Sequence, residues 1–191
     1  MEIYNIVSWV ELLNIIILAR IIFIGIKKGF IVEFFKFSGI LFSVFIAAHY
    51  YSGLAEFFQN SLLNLNVTVY QAIAFVLLWS AGVGLFKLMR DGLLVLFVIE
   101  AKPVIDRWGG GIIAVARGIL TASLFTFVLV LSNLTVVSNV PSSTLSRKFL
   151  AHVVPNTYQF IFDGFIVKFF SDEKLNQETF IVVNPPKEEK K

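Results

Sequence analysis

The chain has 191 residues, of which 57% are hydrophobic and 15% charged, and its formal net charge is +3. A soluble domain averages about 25% charged residues, and a soluble fold of this size has no means of hiding so much apolar surface. The small, dispersed charge argues against nucleic-acid binding, and the absence of cysteine excludes disulfides and thiolate chemistry.

The arrangement of the apolar residues says what the chain is instead. Residues 37–55, 57–86 and 118–146 contain no Asp, Glu, Lys or Arg. Runs of roughly 18 such residues cross a hydrocarbon core of about 30 Å as helices. The first expected helix runs from about Ser8 to Ile26, interrupted once by Arg20. Its basic pair, Lys27-Lys28, follows the apolar stretch and does not precede it, so the segment reads as a retained helix and not as a cleavable signal peptide. Gly29 then allows a tight reversal into a second helix, about Phe30 to Tyr51. A linker with Gly53, Asn60, Asn64 and Asn66 leads to a third helix, about Val67 to Met89. The apolar stretch Leu93 to Ile99 is too short to cross, and reads as an interfacial or re-entrant segment or as an extension of the third helix. Pro103 breaks it, and a fourth helix is expected from near Gly109 to near Asn133.

The remainder reads as a tail. A fifth span over Leu145 to Phe170 would bury Asp163 and Lys168 beside Pro155, which costs several kcal/mol on the mildest scale. A pair of surface amphipathic helices split at Pro155 is the better reading, with a disordered end from Asn184. The fold class is therefore an all-α integral membrane protein of about four transmembrane helices with a short amphipathic C-terminal tail. The division expected is a membrane domain over 1–140, an extramembrane tail over 141–183 and a terminus over 184–191. Lys27, Lys28, Lys87, Arg90, Lys102 and Arg107 all fall in the connections between helices 1 and 2 and between helices 3 and 4, which places both termini outside.

Charges inside a membrane are costly and face protein, water or one another. Arg20 and Glu33 stand on opposite arms of the first hairpin at depths differing by roughly 6 Å. They suit either a polar lining for a solute path or an interhelical ion pair, with Lys36 snorkelling to the headgroups. Gly110, Ala114 and Gly118 recur every four residues on the fourth helix, the spacing at which two backbones approach closely. That helix is the expected packing hub, within the bundle or between subunits. Arg117, one position from this stripe, has Glu33 and Asp106 as candidate partners. Gly109-Gly110-Gly111 ahead of a helix has the form of an anion cradle but lacks the lysine and hydroxyl of a P-loop. His49 and His152 have no partner at metal-ligand spacing and read as interface residues, and no nucleophile–base or carboxylate pair is set for catalysis. No metal, no cofactor and no enzymatic activity are expected.

These elements, in this order, resemble the colicin V production protein (CvpA) family. Trp9-Val10-Glu11 resembles the Trp-x-Asp opening its first helix. Lys28-Gly29-Phe30-Ile31-Val32-Glu33, with Gly39 six positions on, looks like its Arg-Gly-Phe-x-x-Glu and following glycine. Asp106-Arg107-x-x-Gly110-x-x-x-Ala114-x-x-Arg117-Gly118 is similar to its Asp-Arg-x-x-Gly-x-x-x-Gly-x-x-Arg-Gly, and Pro141 to Leu150 to its Pro…Ser-Arg-Leu segment. The resemblance covers roughly residues 9–155. Glu11, Lys28 and Ala114 depart from it, and Lys28 lacks the planar fork of arginine. It implies a multi-pass protein of the bacterial inner membrane that supports colicin V production or export, or envelope homeostasis, without catalysis. The alternative is a small oligomeric channel or transporter lined by Arg20, Glu33 and Arg117. The implied partners are the bilayer and either further copies of the chain or the export and envelope machinery, with no nucleic acid.

Overall fold

The computed structural model describes residues 9–61, 66–96, 103–132, 146–170 and 172–184. Four long helices dominate: α1 (Trp9–Lys28), α2 (Phe30–Ser61), α3 (Val67–Leu96) and α4 (Pro103–Ser132). Each contains a segment long and apolar enough to cross a membrane, so the chain is a multi-pass membrane protein. At 1.5 Å per residue α1 spans about 30 Å, while α2 reaches about 48 Å and must tilt or project beyond the hydrocarbon.

Two boundaries differ from expectation, and a third follows one of the readings offered for the short apolar stretch. Helix α2 does not stop at Tyr51 but continues through Gly53 to Ser61. A lone glycine costs about 1 kcal/mol against alanine, too little to end a helix whose neighbours Tyr51 and Ala55 are buried. Helix α3 extends to Leu96, so the short apolar stretch begins as its continuation. Helix α4 starts at Pro103, not near Gly109, because proline is tolerated in a first turn that needs no N–H donor. The triple glycine therefore lies inside α4 and not ahead of it.

The helices α2, α3 and α4 form the core, and α1 lies along α4 with few contacts to α2. Val44, Ala48 and Tyr51 of α2 meet Tyr70 and Phe75 of α3 and Leu124 and Phe127 of α4. Aromatic rings fill the centre, with Phe75 and Phe127 at 5.1 Å and Tyr51 and Phe75 at 5.8 Å between centroids. The outward stripe of α1 is Leu12, Ile16 and Phe23, large apolar residues facing the solvent that a bilayer would supply.

The tail forms one near-continuous helical stretch, not two helices split at Pro155. A π-helical turn, Ser146–Leu150, runs into α5 (Ala151–Ile161), followed by a second π-helical turn, Phe162–Ile166, and a last turn, Val167–Phe169. Pro155 is buried within α5, where packing against α4 and α2 outweighs the one hydrogen bond that proline removes. A short helix, α6 (Glu178–Ile181), closes the described chain. Lys102, Asn133, residues 141–145 and the terminus beyond Asn184 lie outside the described residues.

Candidate functional site

The polar residues gather at the two ends of the α1–α4 seam. At the end bearing the basic turns, α1 and α2 are joined by Gly29 alone. Gly29 has φ +84°, a left-handed conformation that a side chain resists. It ends α1 by donating its N–H to the Gly25 carbonyl and begins α2 by accepting from Glu33 N–H. A glycine offers no side chain to cap the new helix. Asp106, in the first turn of α4, supplies one from elsewhere: its Oδ1 accepts from Phe30 N–H at 2.7 Å. A Cβ on Gly29 would lie 2.0 Å from Asp106 Oδ2, so glycine is what lets the carboxylate in.

The same approach continues along the seam. A Cβ on Gly25 would fall 2.1 Å from Ala114 Cβ, and one on Gly110 would fall 2.9 Å from the Gly25 carbonyl oxygen. Gly118 faces Leu18 and Ile21. The stripe Gly110, Ala114, Gly118 is thus filled by α1 of the same chain. Its counterpart at the end of α1, Gly25-x-x-x-Gly29, carries the same four-residue spacing in the sequence.

Beside this lock sits a buried carboxylate. Glu33, fully inaccessible, lies one turn into α2 and takes both nearby cations. Its Oε1 is 2.5 Å from Lys36 Nζ, and its Oε2 is 2.7 Å from Arg117 Nε, an ion pair at hydrogen-bond distance without hydrogen-bond alignment. Glu33 therefore pairs with Arg117 across α2 and α4, and Lys36 turns inward to it. Asp106 caps α2 near this cluster, and Lys28 stands exposed at the turn. Arg20 does not join them. It is exposed on the outward stripe of α1, with no partner among the described residues.

At the opposite end, buried Asn14 of α1 donates to Thr126 Oγ1 of α4 at 3.0 Å and to Ser146 Oγ of the tail at 3.1 Å. The four sequence motifs thus meet in two pairs. Gly29 and Glu33 engage Asp106, Gly110 and Arg117, and the first motif's helix reaches the Ser146 segment.

The tail is fastened separately. Asn176 Nδ2 donates to the carbonyls of Ala48 and His49 and to Ser52 Oγ, and its N–H donates to the Tyr158 hydroxyl at 2.9 Å. Thr179 donates to the Ala48 carbonyl, and His49 Nδ1 lies 2.8 Å from the Tyr158 oxygen. Burial pushes the Tyr158 phenol above its ordinary value. His152 meets Asn184 at 3.4 Å. These partners lie more than 100 residues apart for His49 and Tyr158, and no local pattern announces them. The outer face of the tail exposes Phe149, Phe160, Phe165 and Phe169. Among the described residues no group of three His, Cys, Asp or Glu is placed to hold a metal ion.

Comparison with known proteins gives two matches. The family model described as colicin V production protein matches residues 10–155. A relative from Bacillus subtilis (strain 168), described as the uncharacterized transmembrane protein YshB, is 28% identical over 170 residues, covering 76% of this chain and 90% of its own. No solved structure matches.

Proposed function

The chain belongs to the colicin V production protein family, and from that premise we propose that it is a non-catalytic factor of the bacterial cytoplasmic membrane. It supports production or export of colicin V-like peptide toxins, or envelope homeostasis, by contacts of its bundle and tail with further copies or with export and envelope machinery. Both termini lie on the outer side, since the basic residues cluster in the turns at one end.

The observation that carries this reading is where the polar groups between the helices go. Glu33 pairs with Arg117 across α2 and α4 and holds Lys36 on its own helix, Asp106 of α4 caps α2, and Asn14 joins α1 to Thr126 of α4 and Ser146 of the tail. That is the economy of a scaffold. The test is complementation of a toxin-producing strain lacking the protein, scored by secreted toxin and by survival in detergent. The wild-type gene is expected to restore both, and a Gly110→Leu, Gly118→Leu form to fail while still reaching the membrane. Full complementation by that double variant would refute the reading.

Arg20 keeps a second reading in view. An arginine exposed near the middle of α1 needs polar surroundings. An oligomer that forms a channel or transporter around Arg20 would provide them. Glu33 is fully buried and paired with Arg117 inside the bundle, so of the three residues expected to line such a path Arg20 alone faces outward. Ion flux in liposomes, abolished by Arg20→Gln, is the expected signature of that alternative. Flux that survives Arg20→Gln would exclude Arg20 as its lining.

A further inference from the structure

A cavity of about 230 Å³ lies between α2 and α3, with Arg117 contributed from α4. Four cations line it: Lys36, Lys87, Arg90 and Arg117. Two carboxylates answer them. Glu33 is held by Lys36 and Arg117, and Asp91 by Arg90 at 2.6 Å. Lys87 is exposed and has no partner among the described residues. The cavity therefore keeps an excess of positive charge.

The rest of its wall is apolar and aromatic, with Phe35, Val83 and Phe86. Val83, Phe86, Lys87 and Arg90 share one face of α3, which passes from apolar to basic toward the helix end. Lys87 and Arg90 occupy the last turns of the membrane-crossing part of α3, which extends to Gly92. Basic side chains at the end of a span reach the depth of lipid phosphates, with the acyl chains deeper. A soluble phosphate would use only the cations and leave the apolar wall unexplained. We propose that this cavity is a binding site for one anionic phospholipid. Its phosphodiester pairs with Lys87 and Arg90, and its upper acyl chain lies on Phe35, Val83 and Phe86. The site is independent of the toxin-related role.

The test uses the full-length protein in phosphatidylcholine nanodiscs doped with phosphatidylglycerol, with retained lipid counted by native mass spectrometry. Preferential retention of phosphatidylglycerol is expected. The Lys87→Gln, Arg90→Gln variant is expected to weaken it roughly fivefold for each charge removed. Lys27→Gln, Lys28→Gln removes two charges outside the cavity and should leave retention within about twofold. Val83→Trp fills the cavity without altering charge and should also abolish the preference, which separates the site from general surface attraction. Equal losses in the two charge variants, or unchanged retention in Val83→Trp, would overturn the proposal. A parallel arm offers glycerol phosphate and inorganic phosphate. Displacement of the bound lipid by either at millimolar concentration would assign the cavity to a soluble phosphate and overturn the lipid assignment.

Discussion

Replacing Gly110 with alanine probes the α1–α4 seam with a single carbon atom. The added Cβ would lie 2.7 Å from the Gly29 carbonyl carbon, 2.9 Å from the Gly25 oxygen and 3.1 Å from Gly29 Cα. All three are backbone atoms, so no side chain can swing aside. Carbon atoms settle at about 3.5–4.0 Å, so the turn and α4 must separate by roughly 1 Å. Overpacking of this kind costs about 1–3 kcal/mol. The same shift stretches the 2.7 Å bond from Phe30 N–H to Asp106 beyond hydrogen-bond reach, and loss of a cap adds about 0.5–2 kcal/mol. Alanine's better helix propensity offsets about 1 kcal/mol, leaving a net loss of about 0.5–4 kcal/mol. Reversible unfolding in mixed micelles, followed by tryptophan fluorescence, measures it. Asp106→Ala in the Gly110→Ala background should then cost less than in the wild type, because the cap is already broken. A gain of stability with an undiminished Asp106→Ala cost would mean that the helices do not touch there.

Other expectations follow from the same joints. Glu33→Ala strands Lys36 and Arg117 and should destabilise by about 3–5 kcal/mol, whereas Glu33→Leu with Arg117→Met should recover most of that loss in the same assay. No recovery would show that the pair is not the reason for the cost. Asn14→Leu removes two hydrogen bonds and should cost about 1–3 kcal/mol, with Ser146→Ala adding little in that background. Full additivity would deny the contact. Tyr158→Phe should release the Asn176 segment, seen as faster hydrogen exchange at residues 172–184. The Tyr158 phenol is raised in the folded state by burial, so its contribution is complete below the unfolded value near 10 and is lost as pH rises through the folded one. Tail protection should therefore fall above about pH 10 in the wild type, and a Tyr158→Phe protein that keeps the same pH dependence would refute this assignment.

The four spans were legible because charge-free length is a one-dimensional property. So was the stripe Gly110, Ala114, Gly118, whose spacing marks one helix face. What the face meets was not legible. Arg20 and Glu33 look like partners when α1 and α2 are drawn as a hairpin, since consecutive helices usually pack. In the fold α1 turns away onto α4, and Glu33 takes Arg117, the other of its two possible cations in the sequence reading. Pro155 misled for a related reason. A proline weighs heavily in an isolated helix, but α5 is held from both sides by α2 and α4. The hold of Asn176 on the Ala48 and His49 carbonyls joins residues far apart in sequence, with no periodicity linking them.

The one-residue link at Gly29 also sets an order of events in the living cell. Helices α1 and α2 leave the ribosome as a joined pair, yet the surface that α1 fits belongs to α4. Roughly a hundred residues separate the two, which at a translation rate of about 5–20 residues per second is a wait of about 5–20 s. Until α4 and Ser146 are made, the glycine face of α1 has no seam to enter and the Asn14 amide has neither Thr126 nor Ser146 to receive it. Closure of the seam thus cannot precede synthesis of α4, and the last hydrogen bond to form along it is the one that waits for the tail.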